Sequence, residues 1–424
     1  MKSSQVVKSV ASGSQDKSAY SPEVSESLIV SRNHIHIEPS PIRAINPGNE
    51  VRFEIPSDMD FLLSSMYLAL HNVTCSATGG ADPILPENIA SLISDVRVEV
   101  AGQEVWRMPY FNWTSLLKYY TQMTSSWTGG RVMGVASQAN RATDSGAGRS
   151  YILPLDLIFH GVSNYFPRNT LLAGRTMRII FMFESAANCL EDPAGTTVGG
   201  SYNIASSELF LDQVVMADSF LSSVRGGLKM HYINYVPFVN TIAGGSTAVQ
   251  LPIGLQALGL RKIFTLLSTD ADLADITVLG RQLDWQQATV QSFRHRINQK
   301  YYPQDFVDTT TGGIAEAYIN TLRAIHGEGA GSSFKPAGLE SLISYEDFAD
   351  IAGGLSKFFI LQNFMTETGD VLDVVSSVDT SSAGVNIFLE LNFTAAPALL
   401  RALHICEVDE ILLIDSEGRI RLGK

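Results

Sequence analysis

The chain has 424 residues, of which 45% are hydrophobic and 17% charged. It has room for two or three ordinary domains and enough apolar content to bury a large core, which excludes a disordered protein. A net charge of −13 opposes phosphate and excludes a chain that coats nucleic acid with its whole surface. The three cysteines, Cys75, Cys189 and Cys406, are odd in number and far apart. Neither a disulfide framework nor a zinc spacing is expected; free buried thiols are.

Residues 1–27 are rich in serine and poor in large apolar groups, with Lys2, Lys8 and Lys17 against Asp16. They are read as an N-terminal arm, without the apolar core of a signal peptide. No run of about 18 apolar residues predicts a membrane-spanning helix. From Leu28 onward the pattern is β. His34 to Ile37 alternates and stops at Pro39 and Pro41, as an edge strand would. Val51, Phe53 and Ile55 alternate with Arg52 and Glu54, and Val96, Val98 and Val100 alternate with Arg97 and Glu99. Ala101-Gly102-Gln103 turns this second strand into Val105 and Trp106, a hairpin. Trp113, Leu116, Leu117 and Tyr120 form one apolar stripe and predict a helix.

Strands are expected at 177–183, 209–215, 232–239, 249–253, 263–267 and 358–362. Ile387, Leu389, Leu391 and Phe393 alternate, and 399–408 and 411–414 complete the series. A second helix is expected from Val290, Phe293 and Ile297, and a longer one from Ile314, Tyr318, Leu322 and Ile325. Loops rich in Gly, Ser and Thr fill 124–150, 193–205, 307–313, 327–339 and 376–384. Many strands, few short helices and long loops predict a mainly β chain of two tandem jelly-roll β-sandwiches. The expected division is 28–225 for the first roll and 226–424 for the second, at Arg225-Gly226-Gly227.

Four clusters are candidates for chemistry. His34 and His36 project from one face of a strand, with Glu38 continuing that face, as a metal site could use. Surface histidines on an edge strand are the preferred reading. Asp270, Asp272 and Asp275 lack the spacing, glycine and closing glutamate of a calcium loop. Gly327 to Ser332 lacks a phosphate-loop lysine. Arg294-His295-Arg296 is a small basic cluster on the helix expected there. No catalytic, cofactor or metal residue is assigned, and no enzyme is expected.

One pattern occurs twice. Asp95 to Trp106 followed by Lys118-Tyr119-Tyr120 is echoed by Asp275 to Trp285 followed by Lys300-Tyr301-Tyr302. The glycines (Gly102, Gly280), tryptophans and lysines stand 178, 179 and 182 residues apart. This suggests two copies of one β-rich unit, with Trp106 and Trp285 in equivalent places.

Several motifs, in order, resemble one family. Phe53-Glu-Ile-Pro56, Asp60-Phe-Leu-Leu63 and Met66 to Leu70 are similar to the start of the double jelly-roll major capsid proteins of Polinton (Maverick) elements, adintoviruses and polinton-like viruses. Ile93 to Gly102, Pro109-Tyr110 with the helix after it, Tyr165-Phe-Pro167, Met177 to Phe181, Leu389 to Phe393 and Ile411 to Ile414 continue the resemblance. It implies a virion protein that tiles an icosahedral shell as pseudo-hexameric homotrimers, like the adenovirus hexon lineage. Its implied partners are neighbouring capsomers, penton and minor capsid proteins, and an inner membrane or core protein. Sequence-specific nucleic-acid binding is not implied. The competing expectations are a bicupin-like metalloenzyme using His34 and His36, and a virion spike or receptor-binding protein.

Overall fold

The computed structural model describes residues 29–122, 130–161, 164–275, 277, 285, 289–310, 312–326, 343–349, 356–365 and 377–423. The arm at 1–27, the glycine-rich stretch 327–332 and most of the second copy of the repeated pattern, including Gly280, lie outside them.

In chain order the first half holds β1 (Ile29–Ile37), β2 (Glu50–Ile55), β3 (Asp60–Ser76), β4 (Ile93–Val100), β5 (Gln103–Pro109), α1 (Phe111–Gln122), α2 (Gln138–Ala147), β6 (Arg149–Pro154), β7 (His160–Gly161), β8 (Tyr165–Phe166), α3 (Arg168–Leu172), β9 (Met177–Phe183), α4 (Ala186–Cys189), β10 (Ser201–Met216) and α5 (Asp218–Val224). The second half holds β11 (Gly227–Ile242), β12 (Ala248–Ile253), β13 (Gly259–Thr269), α6 (Asp270–Ala274), β14 (Val290–Ile297), β15 (Lys300–Asp308), α7 (Ile314–His326), α8 (Tyr345–Ala349), β16 (Ile360–Asn363), β17 (Ile387–Phe393), β18 (Leu400–Asp415) and β19 (Ile420–Gly423).

The strands form four antiparallel sheets with a repeated order. Sheet β1-β10-β3-β6 and sheet β2-β9-β4-β5 make the first jelly roll. Sheet β11-β18-β13-β16 and sheet β12-β17-β14-β15 make the second, strand for strand. Six strands of the second roll begin 197–199 residues after their counterparts, as from Glu50 to Ala248 or from Gln103 to Lys300. The offset grows to 210 for β9 and β17, because the connection after β15 is longer than the one after β5. The matching helix after the fifth strand is α1 in the first roll and α7 in the second.

Alternation explains the sheets. In β4, Val96, Val98 and Val100 are buried while Arg97 and Glu99 stay partly exposed, the period of a strand with one core face. Phe53 of β2 and Phe181 of β9 meet edge-on at 5.8 Å inside this core, and each is fully buried. Burying one such side chain contributes about 1.5–3 kcal/mol. The stripe predicted for 113–120 is helix α1, and Ile314 starts α7 as expected.

Three expectations are corrected. The stretch from Val290 to Ile297 is strand β14, not a helix, so Arg294, His295 and Arg296 lie on a strand. The loop expected at 124–150 contains helix α2, begun by Ser137, whose side chain accepts from Asn140 N–H. The two tryptophans are not equivalent. Trp106 lies in β5, whereas Trp285 lies before β14 in an isolated bridge to Ser356. Lys118-Tyr119-Tyr120 is helical and Lys300-Tyr301-Tyr302 is extended. The duplication is real at an offset near 198, and the spacing of 178–182 is coincidence.

Candidate functional site

On β1, His34 and His36 do share one outward face, since both rings pack against Phe210 of β10. Both nitrogens of His34 are engaged: Nδ1 lies 2.7 Å from Asp212 Oδ1 and Nε2 lies 2.9 Å from the Tyr67 hydroxyl. Arg32 also donates to Asp212. Partial burial raises the Asp212 carboxyl, but hydrogen bonds from His34 and Arg32 outweigh it and hold the group below its usual range. The arrangement is a surface stack of His34, Tyr67 and Phe210, with Tyr67 and Phe210 rings 4.7 Å apart. Among the described residues, no three His, Cys, Asp or Glu side chains come together in a way that could hold a metal.

The aspartates diverge. Asp270 pairs with Arg401 at 3.2 Å, Asp272 accepts from the Thr269 hydroxyl at 2.6 Å, and Asp275 accepts from Thr277. The basic cluster divides across its strand. Arg294 and Arg296 point outward and share Glu390, with nearest distances of 2.7 and 3.3 Å. His295 points into the second roll, wholly buried and edge-on to Phe364. Neither of its nitrogens has a hydrogen-bond partner among the described residues. Burial, and then the neighbouring His404, pull His295 down to about 3. Burial pulls His404 down to about 4, and its Nδ1 is hydrogen-bonded to the Thr265 hydroxyl at 2.8 Å. Both rings are neutral at neutral pH.

The surface that sequence reasoning missed is the seam between the rolls. Strand β7, a two-residue piece of the first half, pairs with Tyr232 and Ile233 of β11 and so extends a sheet of the second roll. Just before it, Phe159 sits edge-on to Tyr232 at 5.3 Å and packs on Trp106 and Phe166. Strand β5 lies beside β11 here. His160 rests against Tyr235, and Lys118 of α1 places its ammonium 3.0 Å from His160 Nδ1 and 3.2 Å from Asp156. Burial lowers Lys118, with Asp156 opposing the shift. Burial and the adjacent Lys118 lower His160. Lys357 lies over the Tyr120 ring at 4.4 Å. At the far end, Arg175 donates to the Glu417 carbonyl at 2.9 Å. Gly418 there has φ +70° and sits where a Cβ would come within 2.6 Å of the Leu171 carbonyl oxygen, so only glycine fits. Phe159 to Gly161 has no periodicity, so nothing in the sequence announces this strand.

The chemistry on these surfaces is stacking, ion pairing and strand edges, suited to contacts between large surfaces. No family model and no curated protein matches the sequence. Solved structures do match. The chain is similar to PBCV-1 VP54, as fitted into a reconstruction of the virophage Sputnik, at 11% identity and TM-score 0.64, covering 93% of this chain and 97% of that one. A chain of the PBCV-1 virus capsid gives 13% identity and the same score and coverage. The Faustovirus major capsid protein gives 12% identity and TM-score 0.61, covering 97% of this chain and 98% of that one. Over nearly its whole length, the chain has the fold of the double jelly-roll major capsid proteins.

Proposed function

We propose that this chain is the major capsid protein of an icosahedral virus and assembles as homotrimers of six jelly rolls with a six-sided outline. The observation that carries this reading is the matched, end-to-end likeness to the PBCV-1 and Faustovirus chains, with no large part of either left over. An internal duplication gives the reading a geometric sense: a threefold object made of two like units per chain can occupy a nearly sixfold lattice site. The role is structural, built on contacts between subunits in the virion instead of a reaction in a pocket. Residues 28–225 and 226–424 are taken as the two rolls, a division supported by the strand sets on either side of α5. Neighbouring capsomers, penton and minor capsid proteins are the expected partners. The net charge of −13 favours an inner membrane or a basic core layer between shell and genome.

Light scattering of the purified chain tests this reading. A species of three times the 46.1 kDa chain mass, with six-sided particles in electron micrographs, is the expected result. A monomer at high concentration would remove the capsid reading. Against the bicupin alternative stands His34, whose two nitrogens are already hydrogen-bonded, and purified protein should carry no stoichiometric metal.

A further inference from the structure

The seam inside one chain joins unlike edges of like units. The first roll contributes β5 and the Phe159–Gly161 segment, and the second contributes β11. The seam thus uses one edge strand of each roll, and a different one in each. The counterparts of the two seam strands are β15, for β5, and β1, for β11; they stand among edge strands that also include β2, β6, β12 and β16.

Their exposure differs in the direction this requires. Only three of the sixteen residues of β11 and three of the seven of β5 are exposed. By contrast, six of nine are exposed in β1 and seven of nine in β15. Both open edges carry large apolar groups in water: Val30 on β1, and Tyr301 and Phe306 on β15. The His34, Tyr67 and Phe210 stack widens the surface beside β1. Long open edges of this kind are normally covered or blunted.

We propose that β15 of one copy of this chain packs beside β1 of the next, repeating between chains the contact that β5 makes with β11 within one. The occupant of each open edge is therefore a second copy of the same chain. The contact is head-to-tail, so each chain offers one donor edge and one acceptor edge. If the step between chains resembles the step between rolls, three chains close a ring in which every β1 and every β15 is covered. This inference rests on the trimeric reading above and adds which surfaces meet.

Two double variants test it, both at exposed positions that leave the core intact. One is Tyr301→Glu with Phe306→Glu on β15; the other is Val30→Glu with His36→Glu on β1. Each variant alone is expected to run as a monomer where the wild type runs as a trimer. Mixed in equal amounts they should give a one-to-one dimer, because each keeps one working edge and only one contact can form. Variants that still form trimers overturn the contact and leave the capsid reading standing. A monomeric wild type overturns the capsid reading and the contact with it. Should a variant fail to fold, oxidative labelling of Tyr301 and Phe306 in the wild-type trimer decides the matter. Protection of both rings supports the contact, and labelling to the extent of fully exposed rings overturns it.

Discussion

The sheet β2-β9-β4-β5 and its counterpart β12-β17-β14-β15 share strand order, and the register of β2-β9-β4 recurs in β12-β17-β14, yet their outer faces are made of different chemistry. In the first roll, the outward residues form a charge ladder. Glu50 accepts from Arg52 at 2.6 Å and Arg97 at 2.7 Å, Arg107 meets Asp95 at 2.8 Å, and Arg178 meets Glu54 at 3.3 Å. In the second roll, Arg294 takes the place of Arg97 but lies over the rings of Tyr301 and Phe306 at 3.9 and 4.0 Å, and Arg296 lies over Phe388. The inner faces differ by one telling position, where Val98 of β4 is matched by His295 of β14. The fold accepts either outer chemistry because the apolar alternation on the inner face sets the register. It accepts a buried histidine only as a neutral ring.

The largest expected effect comes from acid. A folded-state value near 3 for His295 and near 4 for His404 lies below the ordinary 6.5. Between those values the unfolded chain binds protons that the folded chain refuses, so stability falls as pH drops. Near pH 4.5 the two rings together should cost about 5 kcal/mol relative to neutral pH. Replacing both with leucine should remove that slope. Unfolding followed from pH 7.5 to 4.5 checks this, and equal slopes for wild type and variant would refute it. Of intermediate size is Arg294→Met, which loses two ring contacts and half of the Glu390 pairing. Denaturant unfolding should register about 1–2 kcal/mol. The smallest is Arg178→Met in the first roll's ladder, an exposed pair whose loss should cost no more than about 0.5 kcal/mol and vanish at high salt. A larger loss at Arg178 than at Arg294 would invert the comparison.

Most strands were legible because alternation is a local signal: 51–55, 96–100 and 387–393 carry their inward residues at a period of two. The 290–297 strand was not, for two physical reasons. A bulge between Val290 and Ser292 shifts the register, so Val290 and Phe293 stand three apart and mimic a helical face. The next inward residue is His295, which breaks the apolar pattern at the place where it would have corrected the reading. The true duplication was hidden because equivalent positions differ in type, as Arg178 and Phe388 do, while an unrelated tryptophan and Lys-Tyr-Tyr happened to recur near it. The candidate site was legible only in part. His34 and His36 do share a face, but the seam depends on Phe159, His160 and Gly161, whose role is set by residues more than seventy positions later in the chain.

That last separation bears on how the chain is made. Among the described residues β7 pairs only with β11, so the first roll leaves the ribosome with a short strand waiting and with Phe159, already against Trp106 and Phe166, open on the side that Tyr232 will cover. When residues 227–242 emerge, they meet an edge already in place and a ring for Tyr232 to pack against. The earlier half thus acts as a template for the first strand of the later half, and the order of synthesis favours correct pairing over exchange between chains. A protein expressed as two separate halves would lose this advantage, and its second half would present β11 as one more uncovered edge.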